Sequence, residues 1–179
     1  DDRMVSLSFM FWMFVLLFAI IGGMRGWAKE LLVSFSVILS LTFITLLQQY
    51  VPAIRDAIPD ESPVMFWTRS LLLSILVFFG YQTPNLARFA AKVMRERLQD
   101  VLLGIFLGAV NGYLVMGSLW FFLAEAGYPF DMISEPVAGT VMGDAALRML
   151  TYMPPNILGV PAIYFAVVLC FVFVLVVFI

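Results

Sequence analysis

The chain has 179 residues, of which 63% are hydrophobic and only 12% are charged, with a net charge of −2 at pH 7. A soluble globular domain is roughly half apolar and a quarter charged, so the composition excludes that class and defines one integral membrane domain, residues 1–179. Histidine is absent and Cys170 is the sole cysteine, which excludes an intramolecular disulfide and an iron–sulfur cluster, removes the commonest ligand of haem, copper and zinc, and leaves no cofactor or metal to expect.

About 20 apolar residues cross a bilayer as a helix. Five windows qualify, at about residues 4–23, 27–47, 64–82, 101–124 and 157–179. The expected fold is all-α: a polytopic transmembrane helical protein of five spans, with a basic amphipathic helix at 84–100 and a loop at 125–156 that carries a short helix. The first window is flanked by Asp1, Asp2 and Arg3 rather than by a basic region, and no small-residue cleavage site follows it, so it reads as a span and not as a signal peptide. The chain stops inside the apolar run FVFVLVVFI, which reads either as missing sequence beyond the ends or as an end at the membrane face.

Between the first two spans lies GGMRGWAKE, residues 22–30. Gly22, Gly23 and Gly26 suit a tight helical hairpin, and Arg25, Lys29 and Glu30 are its charges. The second span carries Ser34, Ser36, Ser40, Thr42 and Thr45, hydroxyls that can bond back to their own helix. Ser36 and Ser40 share a face, an arrangement that Ser70 and Ser74 repeat on the third span. Residues 51–63 hold three prolines and read as a turn-rich connector. Arg69 stands near the entry to the third span.

In the connector at 83–100, Thr83-Pro84 has the form of a helix start. Leu86, Phe89, Ala90, Val93 and Met94 then fall on one face and Arg88, Lys92 and Arg95 on the other, as in a helix lying along the membrane interface. Two readings of the basic face stand: contact with anionic lipid headgroups, worth about 1 kcal/mol per charge, or simple obedience to the positive-inside rule. The fourth span reads VLLGIFLGAVNGYLVMGSLWFFLAE, with Gly104, Gly108 and Gly112 spaced by four. Two overlapping G-x-x-x-G units make a groove for close helix packing, which serves internal packing more often than dimerisation. Asn111 lies mid-span and needs a partner from another helix. In the last connector, Ser134-Glu135-Pro136 reads as a helix start and Pro154-Pro155 as a stop, with Val141, Ala145, Met149 and Tyr152 at helical spacing between them.

Arg25, Lys29, Arg88, Lys92, Arg95 and Arg97 all fall in the connectors on one side. The positive-inside rule makes that side cytoplasmic, with the N-terminus outside and, after five spans, the C-terminus inside. Glu30, just inside the boundary, is costly alone, so Arg25 or Lys29 is the expected partner. Arg97 and Asp100 begin the fourth span on the same side and complete an expected polar cluster that staples two hairpins.

These residues carry a family resemblance. Glycine-flanked MRGWAKELL resembles the R-G-x-x-x-E-x-L signature of the colicin V production protein family, and RLQDVLLGIFLGAVNG, residues 97–112, resembles its second, aspartate-then-glycine-rich motif. The two lie in the family's order and spacing and cover about residues 5–124. The family often carries a second Arg-Gly where this chain has Asn111-Gly112, and it commonly has four spans. The resemblance implies a multi-pass protein of the bacterial inner membrane, associated with colicin V export or envelope maintenance.

Three classes of function remain. The first is a non-enzymatic membrane protein that acts by assembling with itself or with other membrane proteins, for instance as an accessory subunit. The second is a small channel or transporter using Arg25, Glu30, Arg69 and Asn111, although no inverted repeat or broken-helix pair is apparent. A membrane enzyme has the least support, since no span holds paired carboxylates or a serine with a base. Nothing points to nucleic acid as a partner.

Overall fold

The computed structural model describes residues 6–82 and 97–178. Eight helices occur among them: α1 (Leu7–Arg25), α2 (Trp27–Tyr50), α3 (Pro52–Ala57), α4 (Pro63–Tyr81), α5 (Arg97–Glu125), α6 (Val141–Thr151), α7 (Pro154–Ile157) and α8 (Ala162–Phe178). Four of them, α1, α2, α4 and α5, are long and apolar enough to cross a membrane. The fold is an all-helical, polytopic one, and it places four of the five expected windows in single long helices.

The fifth window divides. Residues 154–157 form a single turn that Pro154 opens, and the chain then leaves the helix until Ala162. Pro161 has no N–H with which to continue a helix from before it. Helix α8, immediately after that proline, has 17 residues and no charge. The expected amphipathic helix, with Arg88, Lys92 and Arg95, lies outside the described residues. Its last four positions, 97–100, belong instead to α5, which is helical from Arg97 onward with no glycine or proline to break it before Val101.

The hairpin between α1 and α2 also differs from the sequence reading. Gly22 and Gly23 are inside α1, and the turn is the single residue Gly26, with φ +86° and ψ 157°. That backbone region is essentially open to glycine alone. So short a link does not lay α1 along α2; α1 packs chiefly against α5, while α2 packs on α4, α5 and α8.

The α1–α5 contact is built from glycine. A Cβ on Gly22 would collide with the Gly104 carbonyl and come within 2.7 Å of the Gly108 Cα, and one on Gly112 would lie 2.9 Å from the Val15 Cα. The Gly104–Gly108–Gly112 groove therefore serves packing within the chain. Gly117, on another face, instead receives Pro154 and Met153.

The main core gathers Val33, Val37, Leu41 and Ile44 of α2, Leu73 and Val77 of α4, Leu114, Val115 and Phe122 of α5, and Ile163 of α8. The α2 members recur three and four residues apart, one stripe of a helix. Phe9, Trp12, Leu16 and Ile20 form an outward stripe on α1, as expected of a face that meets lipid rather than water.

α6 starts at Val141, not at Ser134. Thr140 caps it, its Oγ1 accepting from the Gly143 N–H at 3.0 Å. Its inward residues are Gly143 and Ala146, with Met149 and Leu150 partly packed. Val141 and Tyr152, read at helical spacing with Ala145 and Met149, are exposed, so that spacing does not mark one buried face. The stop before Pro154 is as read, although that proline opens a turn of its own.

Candidate functional site

The R-G-x-x-x-E spacing has a direct geometric consequence. Arg25 ends α1 and Glu30 sits in the first turn of α2, so each charge complements the dipole of its own helix terminus. Gly26 reverses the chain between them. Arg25 Nη1 then donates to Glu30 Oε1 at 2.5 Å. Arg25 also donates through Nη2 to the Tyr81 carbonyl at 3.2 Å, and its guanidinium lies 4.3 Å from the Tyr81 ring centroid. One side chain thus ties the α1–α2 turn to the end of α4.

Glu30 is fully buried, at 0% exposure, as is Asn111. Asn111 Nδ2 donates to Glu30 Oε2 at 2.7 Å and to the Glu30 carbonyl at 2.9 Å. Its Oδ1 accepts from Ser34 Oγ at 2.6 Å. Every oxygen of the carboxylate has a donor, and both ends of the amide are engaged. That is the condition under which a buried charge is tolerated.

Asp100 holds the other side of the turn. Its Oδ1 accepts the Trp27 N–H at 3.1 Å, one of the free donors at the start of α2. It stands where a Cβ on residue 26 would go, 2.7 Å from Oδ2. A carboxylate from α5 therefore caps α2 from a distance of 73 positions in the chain.

Of the expected cluster, the structure brings together Arg25, Glu30 and Asp100, and it adds Asn111, which the sequence placed apart as a mid-span packing residue. Lys29 and Arg97 lie apart from it. Lys29 is exposed on α2, since the next residue of a helix is turned by about 100°. Arg97 is exposed and makes no ion pair among the described residues. Ser34 and Tyr81 are members that the sequence reading does not include. Ser34 has a signal, one helical turn from Glu30 on the same face. Tyr81 has none, since it contributes a carbonyl and a ring from a distant helix.

Arg69 belongs to a second cluster at the opposite end of the bundle. It bonds Asp60 Oδ1 at 2.9 Å and pairs with Glu125 Oε2, and its guanidinium lies 5.7 Å from the Phe122 ring centroid. The Arg69 side chain is buried while Asp60 is 71% exposed, so this cluster opens to solvent as the first does not. Between the two, Ser36, Thr42 and Thr45 bond back to their own helix. Ser40 Oγ, Ser70 Oγ and Arg69 Nε are buried with no hydrogen-bond partner among the described residues. Ser74, read as sharing the Ser70 face, is exposed. No group of three metal-ligating side chains occurs among the described residues.

Long apolar helices joined by a buried, fully paired intramembrane cluster define a multi-pass helical membrane protein. The chain belongs to the colicin V production protein family, which it matches over residues 7–142. The match includes both motifs and the whole cluster, and α8 lies beyond it. No curated protein and no solved structure is significantly similar to the chain.

Proposed function

We propose that the protein is a non-enzymatic component of the bacterial inner membrane that acts by assembling with itself or with other membrane proteins, as an accessory subunit in envelope maintenance or export. The basic end, with Arg25, Lys29 and Arg97, is the cytoplasmic one by the positive-inside rule. The N-terminus is then outside and, with α8 as a fifth span, the C-terminus inside.

The observation that carries this reading is the pairing of charges across the helices. Arg25 pairs with Glu30, and Arg69 with Asp60 and Glu125, pairs that tie helices together, while Arg69 Nε is buried without a partner among the described residues. A candidate contact surface lies elsewhere. In the loop beyond α5 Met132 is 92% exposed and Val137 is exposed, as are Val141 and Met142 at the start of α6. Met132, Val137 and Met142 border a cavity of about 690 Å³ that Met10, Ile133 and Pro136 also line. Exposed apolar groups of this kind support a contact surface for another protein.

Purification in mild detergent, followed by mass measurement and identification of what co-purifies, tests the reading. A stable homo- or hetero-complex is expected, and a lone monomer at all protein concentrations would overturn it. The channel alternative draws on one observation, the unpartnered hydroxyls of Ser40 and Ser70 between the two charged clusters. Ion flux in proteoliposomes that is lost on Asn111→Leu would favour it over assembly.

A further inference from the structure

α4 and α8 both pack on α2 without an extended contact with each other. The gap is a groove of about 390 Å³. Leu32, Phe35 and Ser36 of α2, Leu76 and Gly80 of α4, and Cys170 of α8 are among its walls. The Ser36 hydroxyl is turned back to the Leu32 carbonyl at 3.0 Å, so the lining is apolar. A side chain on Gly80 would run into Ser36, so glycine there lets α4 pack closely on α2 beside the groove. Phe79 and Phe171 at its walls are exposed, so the groove opens to the medium around the bundle, which for membrane spans is lipid hydrocarbon.

Its basic end is marked by charge. Lys29, Leu32 and Ser36 are spaced by three and four, so they share one face of α2, with Lys29 one turn nearer the helix start. Lys29 is exposed and makes no ion pair among the described residues. The acidic groups nearby are already engaged: Glu30 with Arg25 and Asn111, and Asp100 with the Trp27 N–H. Arg97, at the start of α5 on the same end, is likewise exposed and makes no ion pair among the described residues. An ammonium on a flexible stem at the edge of an apolar slot is suited to a phosphate in the headgroup layer.

We propose that this groove binds one acyl chain of an anionic glycerophospholipid whose phosphate pairs with Lys29. The inference holds whichever face of the membrane this end occupies, and so stands apart from the assembly reading.

Native mass spectrometry of the delipidated protein, titrated with phosphatidylglycerol or with phosphatidylcholine of the same chains, tests the charge. One tightly held phosphatidylglycerol is expected, bound about fivefold more tightly than phosphatidylcholine, and Lys29→Gln should remove that preference. Equal binding of the two lipids by the wild type, or an unchanged preference in Lys29→Gln, would overturn the pairing. A phosphatidylglycerol with a diazirine in its acyl chain tests the place without any variant. In vesicles, adducts should concentrate in residues 32–39, 76–80 and 167–174. Equal labelling of the outward stripe of α1, at Phe9, Trp12 and Leu16, would overturn the groove.

Discussion

Asn111 donates through one amide nitrogen to both the backbone carbonyl and the carboxylate of Glu30, at 2.9 and 2.7 Å. It joins the middle of α5 to the first turn of α2. Hydrogen bonds between membrane helices average about 0.6 kcal/mol and reach about 1.7. Asn111→Leu removes two donors to Glu30 and the acceptor of Ser34, so a loss near the upper end, about 1–2 kcal/mol, is expected. Asn111→Asp should cost more, because it sets a second carboxylate against the first. Thermal unfolding in detergent should rank wild type above Asn111→Leu above Asn111→Asp.

Arg25 and Glu30 should behave as one unit. Breaking a buried pair from one side leaves a bare charge and costs about 3–5 kcal/mol, whereas removing both partners is far milder. Arg25→Met should thus be the most damaging single change in the cluster. Glu30→Gln should be milder, since Arg25 keeps the Tyr81 carbonyl and ring, yet yield should still fall. The double variant Arg25→Met/Glu30→Gln should be more stable than Arg25→Met alone. Additive effects would show that the two side chains are not coupled.

How far the sequence shows this site depends on what each residue contributes. Charges within apolar surroundings stand out, so Arg25, Glu30 and Asp100 are legible, and Asn111 for the same reason. Charge does not reveal which way a side chain faces. Lys29, beside Glu30 in sequence, groups with it by charge, although the helix turns it outward. Gly22 reads as part of the turn because three glycines flank Arg25. Its role as the contact of Gly104 and Gly108 depends on α1 crossing α5, a tertiary choice with no local signal. The long helices are legible from length and hydropathy, while the start of α6 is not, because Thr140 and Ser134 are both plausible caps in sequence.

The α1–α5 contact should reject side chains. A Cβ on Gly108 would strike the Phe18 carbonyl and lie 2.9 Å from the Gly22 Cα. These are backbone atoms of a helix and cannot move aside singly. Gly108→Ala should lower the unfolding midpoint, and Gly108→Val should prevent recovery of folded protein. Gly159, whose nearest neighbour would be 3.5 Å away, serves as the control, and Gly159→Ala should have little effect. Equal tolerance at the two positions, read by fluorescence-detected gel filtration, would contradict the packing.

The turn itself separates backbone strain from capping. Gly26→Ala forces a side chain into a conformation with φ +86° and against Asp100, a cost of about 1–3 kcal/mol from the backbone alone. Asp100→Asn keeps an oxygen for the Trp27 N–H and should be nearly neutral. Asp100→Ala leaves that donor unpaired and should cost about 1 kcal/mol. If Asp100→Asn were as harmful as Asp100→Ala, the charge of Asp100 and not its acceptor would be what matters.

The cluster at the far end should respond to salt where the first does not. Asp60 is 71% and Glu125 40% exposed, while the Glu30 side chain is 0% exposed. Ions reach exposed pairs, and the screening length falls from about 10 Å at 0.1 M to about 3 Å at 1 M salt. Raising sodium chloride over that range should lower the unfolding midpoint of the wild type by weakening the Arg69 pairs. Glu125→Gln should reduce this sensitivity, since one of the two pairs is gone. Arg69→Met should cost less than Arg25→Met, because water can solvate Asp60 and Glu125 once the guanidinium is lost, whereas nothing solvates Glu30. An Arg25→Met variant that keeps the full salt response would locate that response at Arg69, and one that loses it would place the screened pair at Glu30 instead.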